Sequence, residues 1–292
     1  MIVPGFNHRF PKEGTDDYLW SFADCHAGLD PESLLIETCC TSLEEALAAQ
    51  ERGADRIELC TDLSVGGLTP PRDLIHEIVG ALTIPVNVLI RPASSNSDAG
   101  VILSRKHATL GAVRGRGPCV AWEGSSEARR SGRESQSVLD EAGRTKGFTQ
   151  TDFVYDEADL KQMVEVIDYC KSVGAAGIVV GALTPEGHID LAAMQRLVAA
   201  AAPLPVTFHR AFDVCTEDPF EALEKILSLG CARLLTSGRA ATAWEGRDLI
   251  RQLVARAGDR LIVMPGCGVT PANLPLLHAF TRAPEYHGTK LP

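Results

Sequence analysis

The chain has 292 residues, 45% of them hydrophobic and 23% charged, with a formal net charge of −10. That composition is globular, and the acidic balance argues against nucleic acid as the main partner. No apolar run approaches the roughly 20 residues of a membrane span, and the first 30 residues show neither a secretory core nor an Arg-rich transit pattern. The nine cysteines are odd in number and lack any CxxC pair, which reads as reduced thiols in a cytoplasmic protein.

From residue 33 short apolar runs of β character alternate with longer amphipathic stretches. The first run is Leu34–Cys40. Ser42 is a predicted N-cap with Glu45 as its capping-box partner, and Gly53 stops the helix. Arg56–Cys60 is the second run, followed by a Gly66-Gly67 loop and a helix opened by Pro70 and Pro71 that ends near Ala81. Pro85–Ile90 is the third run. Beyond an interruption, a helix over Asp156–Val173 leads to the fourth run, Gly177–Val180. The helix Leu191–Ala201, the run Pro205–Phe208, the helix Asp218–Leu229 and the run Arg233–Leu235 come next. A helix over Ala240–Ala257, the run Arg260–Met264, a helix over Pro271–Ala279 and the short run Glu285–His287 complete the series.

Eight strands with seven intervening helices are expected to form a TIM-like (β/α)8 barrel whose last helix is absent or truncated. A doubly wound open sheet competes, but no GxGxxG follows the first strand. The chain runs out at Pro292, so the missing eighth helix would leave a groove for a partner subunit or the N-terminal segment to cover; a homo-oligomer is one expectation. Residues 1–32 read as an N-terminal extension and 33–292 as a single barrel domain, interrupted at 93–150. Residues 93–147 are rich in Ser, Gly and Arg, and hold nine basic against six acidic residues, a net of +3 against −13 for the rest of the chain. This composition predicts a disordered insertion. It is either a basic lid over an anionic substrate, a passive loop, or sequence absent from the natural mature product.

In such barrels chemistry sits at the C-terminal ends of the strands. Side chains alternate along a strand, so Glu37 and Cys39 share one face, as do Arg56, Glu58 and Cys60, while Ile36, Ile57 and Leu59 take the other. Two carboxylates, an arginine and two thiols therefore face the barrel interior. Buried charge must be paired, so Arg56 or Arg91 is expected to meet Glu37 or Glu58, either as a structural plug or as part of an active mouth. His209, Arg210 and Asp213 form the densest polar cluster. An imidazole there suits general acid–base work or metal ligation; it could equally be a hydrogen-bonded core group. Thr236, Ser237 and Gly238 after the sixth strand, with Gly266 and Gly268 after the seventh, are a candidate anion site, although glycines also serve tight turns. Gly66-Gly67-Leu68-Thr69-Pro70 is a weaker case of the same kind. Cys39 and Cys60, on adjacent strands at similar height, could hold a soft ion such as Cu(I); inert buried thiols are the alternative. Cys170, Cys215 and Cys231 read as packing residues.

At these residues the sequence resembles the CutC family of copper homeostasis proteins. The matching stretches are Ala54-Asp55-Arg56-Ile57-Glu58-Leu59-Cys60, Gly66-Gly67-Leu68-Thr69-Pro70, Ile90-Arg91-Pro92, Asp152-Phe153-Val154-Tyr155, Gly181 to Gly187, Val206 to Asp213, Leu235-Thr236-Ser237-Gly238 and Met264-Pro265-Gly266. Together they cover residues 34–92 and 151–288. The resemblance implies a TIM-like barrel, a cytoplasmic location and a role in copper handling, with Cu(I) bound by Cys39 and Cys60. In family members Arg91-Pro92 runs within a few residues into the Asp-Phe-Val-Tyr stretch; here residues 93–151 intervene, in the third βα loop at the active face. The segment after the eighth strand is also shortened, to Gly288–Pro292. A copper phenotype is not a reaction, and the interior Glu, Arg and His set resembles an enzyme mouth. The second expectation is therefore a barrel enzyme acting on a small anionic or phosphorylated substrate. Glu58 and His209 would be its acid–base groups, Arg91, Arg210 and the Gly266 loop its anion holders, and Glu37 and Asp213 further candidates for the catalytic set. A scaffold acting through its bare barrel side is the third. No nucleic acid or membrane partner is expected under any of them.

Overall fold

The computed structural model describes residues 34–93 and 148–291, all within one unit spanning Glu32–Pro292. The N-terminal extension 1–32 and nearly all of the insertion lie outside the described residues. Eight parallel strands form the core: β1 (Leu35–Cys40), β2 (Arg56–Leu59), β3 (Val86–Leu89), β4 (Gly177–Val180), β5 (Val206–Phe208), β6 (Arg233–Thr236), β7 (Ile262–Pro265) and β8 (Glu285–Gly288). Neighbours pair in the order β7-β6-β5-β4-β3-β2-β1-β8, and β7 lies against β8 to make a nearly closed barrel. A helix occupies each connection between consecutive strands, which parallel pairing requires. No helix follows β8 among the described residues. The TIM-like class expected from the alternation is the fold found.

Local chemistry sets the helix ends. The Ser42 hydroxyl accepts from the Glu45 N–H, opening the helix Leu43–Glu51. The Glu45 carboxylate turns back one residue further than a regular capping box, accepting from the Thr41 backbone N–H at 2.7 Å. Asp156 caps the helix Glu157–Val173, and Gly174, at φ +86°, ends it. Asp218 caps Pro219–Ser228, with Pro219 in the first turn, where its missing N–H is harmless.

Three boundaries differ from the sequence reading. The helix expected over Ala240–Ala257 begins only at Arg247. Residues before it form a turn, in which the Ala243 N–H donates to the Cys267 carbonyl at 2.9 Å. Gly246 lies so close to the preceding loop that a Cβ there would sit 2.0 Å from the Ser237 carbonyl oxygen. The last helix runs Leu274–Thr281 rather than Pro271–Ala279, because Thr270 and Asn273 bond reciprocally and hold the first turn out of the helix. The strand expected from Arg260 starts at Ile262, after a 3-10 turn over Gly258–Arg260. A short helix, Ala211–Val214, was not anticipated; it follows β5 directly and carries Asp213.

Packing follows the alternation. Ile57, Leu59, Val88, Ile178, Val180, Phe208, Leu234 and Val263 are buried between sheet and helices. The barrel interior holds the other residue of each pair, among them Glu37, Glu58, Asn87, Glu285 and His287, all buried. A small apolar cluster of Cys39, Cys60, Leu89 and Val179 sits beside these polar groups.

Candidate functional site

Strand register brings the interior polar residues together. Parallel pairing sets Glu37 opposite Arg56 and also opposite His287. Arg56 donates from Nε to Glu37 at 2.5 Å and from Nη2 to Glu285 at 2.5 Å. Arg233 adds a 2.7 Å bond to Glu285. Asn87 donates to Glu37 at 3.0 Å. Of the two arginines expected to pair with the interior carboxylates, Arg56 takes that role. Arg91 lies at the strand end instead, donating to the carbonyls of Val65 at 2.8 Å and Gly67 at 2.7 Å, with Asp152 at 3.8 Å.

His287 stands between the two glutamates. Its Nδ1 is 2.9 Å from Glu37 Oε1, and its Nε2 is 3.4 Å from Glu58 Oε2. Burial opposes ionisation of Glu37, but the hydrogen bond from His287 and the charge of Arg56 hold it at about 2. For Glu58 burial dominates and, aided by the Glu37 charge, pushes it upward against the opposing His287 and Arg56 charges and a hydrogen bond with Cys39. Burial would lower His287, yet the two carboxylates outweigh it and raise it.

The thiols of Cys39 and Cys60 meet at 3.3 Å. The hydrogen bond with Cys60, then burial and the Glu58 charge, drive the Cys39 thiol well above its ordinary value. Cys39 also lies within hydrogen-bond reach of the Glu58 carboxylate. The Cys39, Glu58 and His287 donor atoms all lie within 4.8 Å of one another. A cavity of about 430 Å³ lies between the end of β1 and the helix Leu43–Glu51, lined by Thr38, Cys39, Cys40, Glu44, Ala48 and Leu63 among others.

A second polar group surrounds Phe153. The His209 ring packs 4.9 Å from the Phe153 ring centre, and the Arg91 guanidinium sits 5.2 Å from it. His209 Nδ1 accepts from the Ala211 N–H at 3.3 Å, which leaves Nε2 as the protonated nitrogen. That Nε2, Arg91 Nε and the Tyr155 hydroxyl are buried with no hydrogen-bond partner among the described residues. Burial and the nearby Arg91 charge depress His209 to about 3, so its ring is neutral at physiological pH. Burial raises Tyr155, which keeps its hydroxyl proton. Phe148 lies over this group, with the Arg91 and Arg210 guanidinia 5.0 and 5.2 Å from its centre.

The remaining candidates form a third group. Asp213 accepts from the Thr236 hydroxyl, from the N–H and hydroxyl of Ser237, from the Arg239 N–H, and from Arg210 Nε at 2.9 Å. The Thr236 hydroxyl in turn accepts from the Gly238 N–H at 2.9 Å. Thr236 and Ser237, considered as donors to an external anion, thus already hold the chain's own carboxylate, and the Gly266 N–H donates to the Thr236 carbonyl at 2.9 Å. Gly266 has another reason to be glycine: a Cβ would lie 2.5 Å from Leu235 and 3.4 Å from the His287 ring. Gly268 adopts φ +72° in the same loop.

Sequence reasoning named His287 as a strand residue but did not place it in the site, and it missed Asn87, Tyr155, Arg233 and Glu285. The alternation in Glu285-Tyr286-His287 carried the signal, since Tyr286 faces the helices and its neighbours must face inward. The polar Asn87 within the apolar run Val86–Leu89 was a comparable one.

A parallel eight-stranded barrel with titratable groups gathered at the strand ends defines the TIM-barrel class. The model of the CutC family matches residues 34–97 and 147–291, and the chain belongs to that family. Residues 98–146 fall between the two matched parts. A CutC family protein of Histophilus somni is 37% identical over 252 residues, spanning 86% of this chain and 80% of the relative. A human protein named copper homeostasis protein cutC homolog is 37% identical over 253 residues, 87% of this chain and 72% of the relative. The crystal structure of CutC from Streptococcus agalactiae superposes with a TM-score of 0.66 at 27% identity, covering 89% of this chain and all of that one. An aldolase, QR15, shares the fold at a TM-score of 0.51 and 10% identity. No described helix is long and apolar enough to cross a membrane.

Proposed function

We propose that this chain takes part in copper homeostasis in the cytoplasm and accepts Cu(I) as cargo between Cys39 and Cys60. The observation that carries the reading is the 3.3 Å approach of two buried thiols at the ends of adjacent strands. Soft thiolates suit Cu(I), and the described cysteines are all free, as a reducing compartment keeps them. The naming of the human relative for copper homeostasis supports the same reading. Loading displaces the Cys39 proton, because only the thiolate ligates. The test is anaerobic Cu(I) titration of the purified chain against a chromophoric competitor. One tight equivalent, lost in both Cys39→Ser and Cys60→Ser, is expected; weak binding unchanged by either substitution refutes it.

A second reading, a site for a small anion, rests on the three buried donors around Phe153. Arg91 Nε, His209 Nε2 and the Tyr155 hydroxyl follow β3, β5 and Phe153 in the chain, each is buried without a partner among the described residues, and Arg91 interacts electrostatically with both of the others; a carboxylate is the ligand that could accept from all three. With His209 neutral and Arg91 the only charge among the three, a monoanion fits better than a phosphate dianion. His209 then acts as a neutral hydrogen-bond donor, as a polarising group in an enzyme would. A panel of small carboxylates and phosphates should raise the melting temperature for carboxylates and lose that shift in His209→Ala. A flat response to the whole panel counts against it.

A further inference from the structure

We infer that Cys39, Glu58 and His287 form a site for a divalent ion of zinc type, with three protein ligands and an open fourth position. This site shares Cys39 with the copper reading but does not depend on it, and Cys60 is not one of its ligands.

The donor set comes from three neighbouring strands: Cys39 from β1, Glu58 from β2 and His287 from β8. All three residues are buried, and their ligand atoms lie within 4.8 Å of one another. Zinc bonds of about 2.0–2.3 Å place donors around a tetrahedral ion about 3.3–3.8 Å apart. The Glu58 Oε2 to His287 Nε2 distance is already 3.4 Å.

The surroundings of His287 carry the argument further. A ligating histidine commonly gives its other ring nitrogen to a carboxylate, which fixes the tautomer and ring plane. His287 Nδ1 lies 2.9 Å from Glu37 Oε1. Glu37 is itself held by Arg56 at 2.5 Å and Asn87 at 3.0 Å, so it cannot swing into the ligand position. The carboxylate that is locked orients the imidazole; Glu58, which has no arginine or amide bond of that kind, faces Nε2. Two glutamates flanking one histidine thus have separate roles. A lone ion-pair plug would need only one of them.

Sulfur, nitrogen and oxygen donors together suit a borderline ion such as Zn²⁺ or Co²⁺, whereas Cu(I) favours the two thiols. Of the three ligands, Cys39 is the one that lines the cavity of about 430 Å³ against the helix Leu43–Glu51. On ligation the Cys39 thiol releases its proton and His287 binds through unprotonated Nε2, so entry of the ion is balanced by departing protons.

The test uses the full chain, reduced and metal-free, titrated with Co(II) alone and followed by absorption. We expect a near-ultraviolet thiolate-to-cobalt band and visible bands of tetrahedral intensity, saturating at one equivalent. Cys39→Ser should abolish the near-ultraviolet band. Glu58→Gln, nearly the same shape as the native residue, should weaken binding at least about 10-fold, and Glu37→Gln should weaken it about 10- to 100-fold without removing the thiolate band. Cys60→Ser should leave the cobalt spectrum intact while abolishing Cu(I) uptake. Circular dichroism on each variant separates lost ligands from lost folding, and Zn²⁺ should displace the cobalt. A weak octahedral spectrum with no thiolate band, or equal affinity in Cys39→Ser and Glu58→Gln, overturns the inference. A chain that takes Cu(I) but shows that octahedral spectrum keeps the copper reading and loses this one; tetrahedral cobalt without Cu(I) uptake does the reverse.

Discussion

Arg56 and Glu285, 229 positions apart in the chain, meet at 2.5 Å inside the barrel, both side chains at least nine-tenths buried. The same guanidinium holds Glu37. Removing one partner of a buried ion pair leaves the other charge uncompensated, at about 3–5 kcal/mol. Arg56→Met, similar in length, is therefore expected to lose about that much stability in urea denaturation. Arg233, whose side chain is 17% exposed and which bonds the same Glu285 oxygen as Arg56 but no Glu37, should cost less when replaced by Met. Equal losses would mean that Arg56 is not the central charge of the cluster.

His209 sets an acid limit on stability. Its folded value of about 3 lies below the ordinary 6.5 because burial and the Arg91 charge disfavour the imidazolium. Between those values the unfolded chain binds the extra proton, so stability rises with pH across that window and falls as the solution is acidified from 6.5 toward 3. The slope from this one group approaches about 1.4 kcal/mol per pH unit. His209→Gln should flatten the dependence of melting temperature on pH below 6.5. An unchanged slope would show that His209 is not held neutral.

Tyr155 offers a trade between stability and binding. Its buried hydroxyl has no partner among the described residues, and an unpaired buried polar group costs about 1–3 kcal/mol. Tyr155→Phe should raise stability by a similar order while abolishing any melting-temperature shift caused by carboxylates. A destabilised variant would mean the hydroxyl is already bonded.

Gly181 buttresses the His209 ring. A Cβ at this position would lie 2.5 Å from His209 Nδ1 and 3.2 Å from the Ala211 Cβ. Overpacking of this kind costs about 1–3 kcal/mol. Gly181→Ala should lower the urea midpoint by that amount and weaken carboxylate binding. A variant as stable as the parent would show that the ring can move aside.

The barrel was legible because its strands are short apolar runs separated by capped helices, and the period of two placed Glu37, Cys39, Glu58 and Cys60 inward without any structure. Distances between strands were not legible. Nothing local to Glu285 or His287 says that β8 closes against β1, so the partners of Glu37 could not be named. Which of Arg56 and Arg91 would meet the interior carboxylates could not be decided for a related reason. Arg91 follows Ile90 at the strand end, where the chain leaves the sheet, and its reach to the Val65 and Gly67 carbonyls depends on a loop that approaches from β2. The helix start at Arg247 escaped the reading because a tertiary contact holds the preceding turn, and the start at Leu274 because the local Thr270–Asn273 pair caps a turn that periodicity does not reveal.

Strand β8 supplies both Glu285 and His287, and it pairs with β1, the first strand of the sheet. Docking of the last strand on β1 and completion of the inferred ligand set are consequently one event. During synthesis the growing polypeptide carries Cys39, Glu58 and Cys60 long before His287 exists, so it can offer an ion only the two thiols and a carboxylate. A divalent ion is retained with its full ligand set only after the last strand docks, which ties tight loading to the finished fold and leaves incomplete chains as poor competitors for metal.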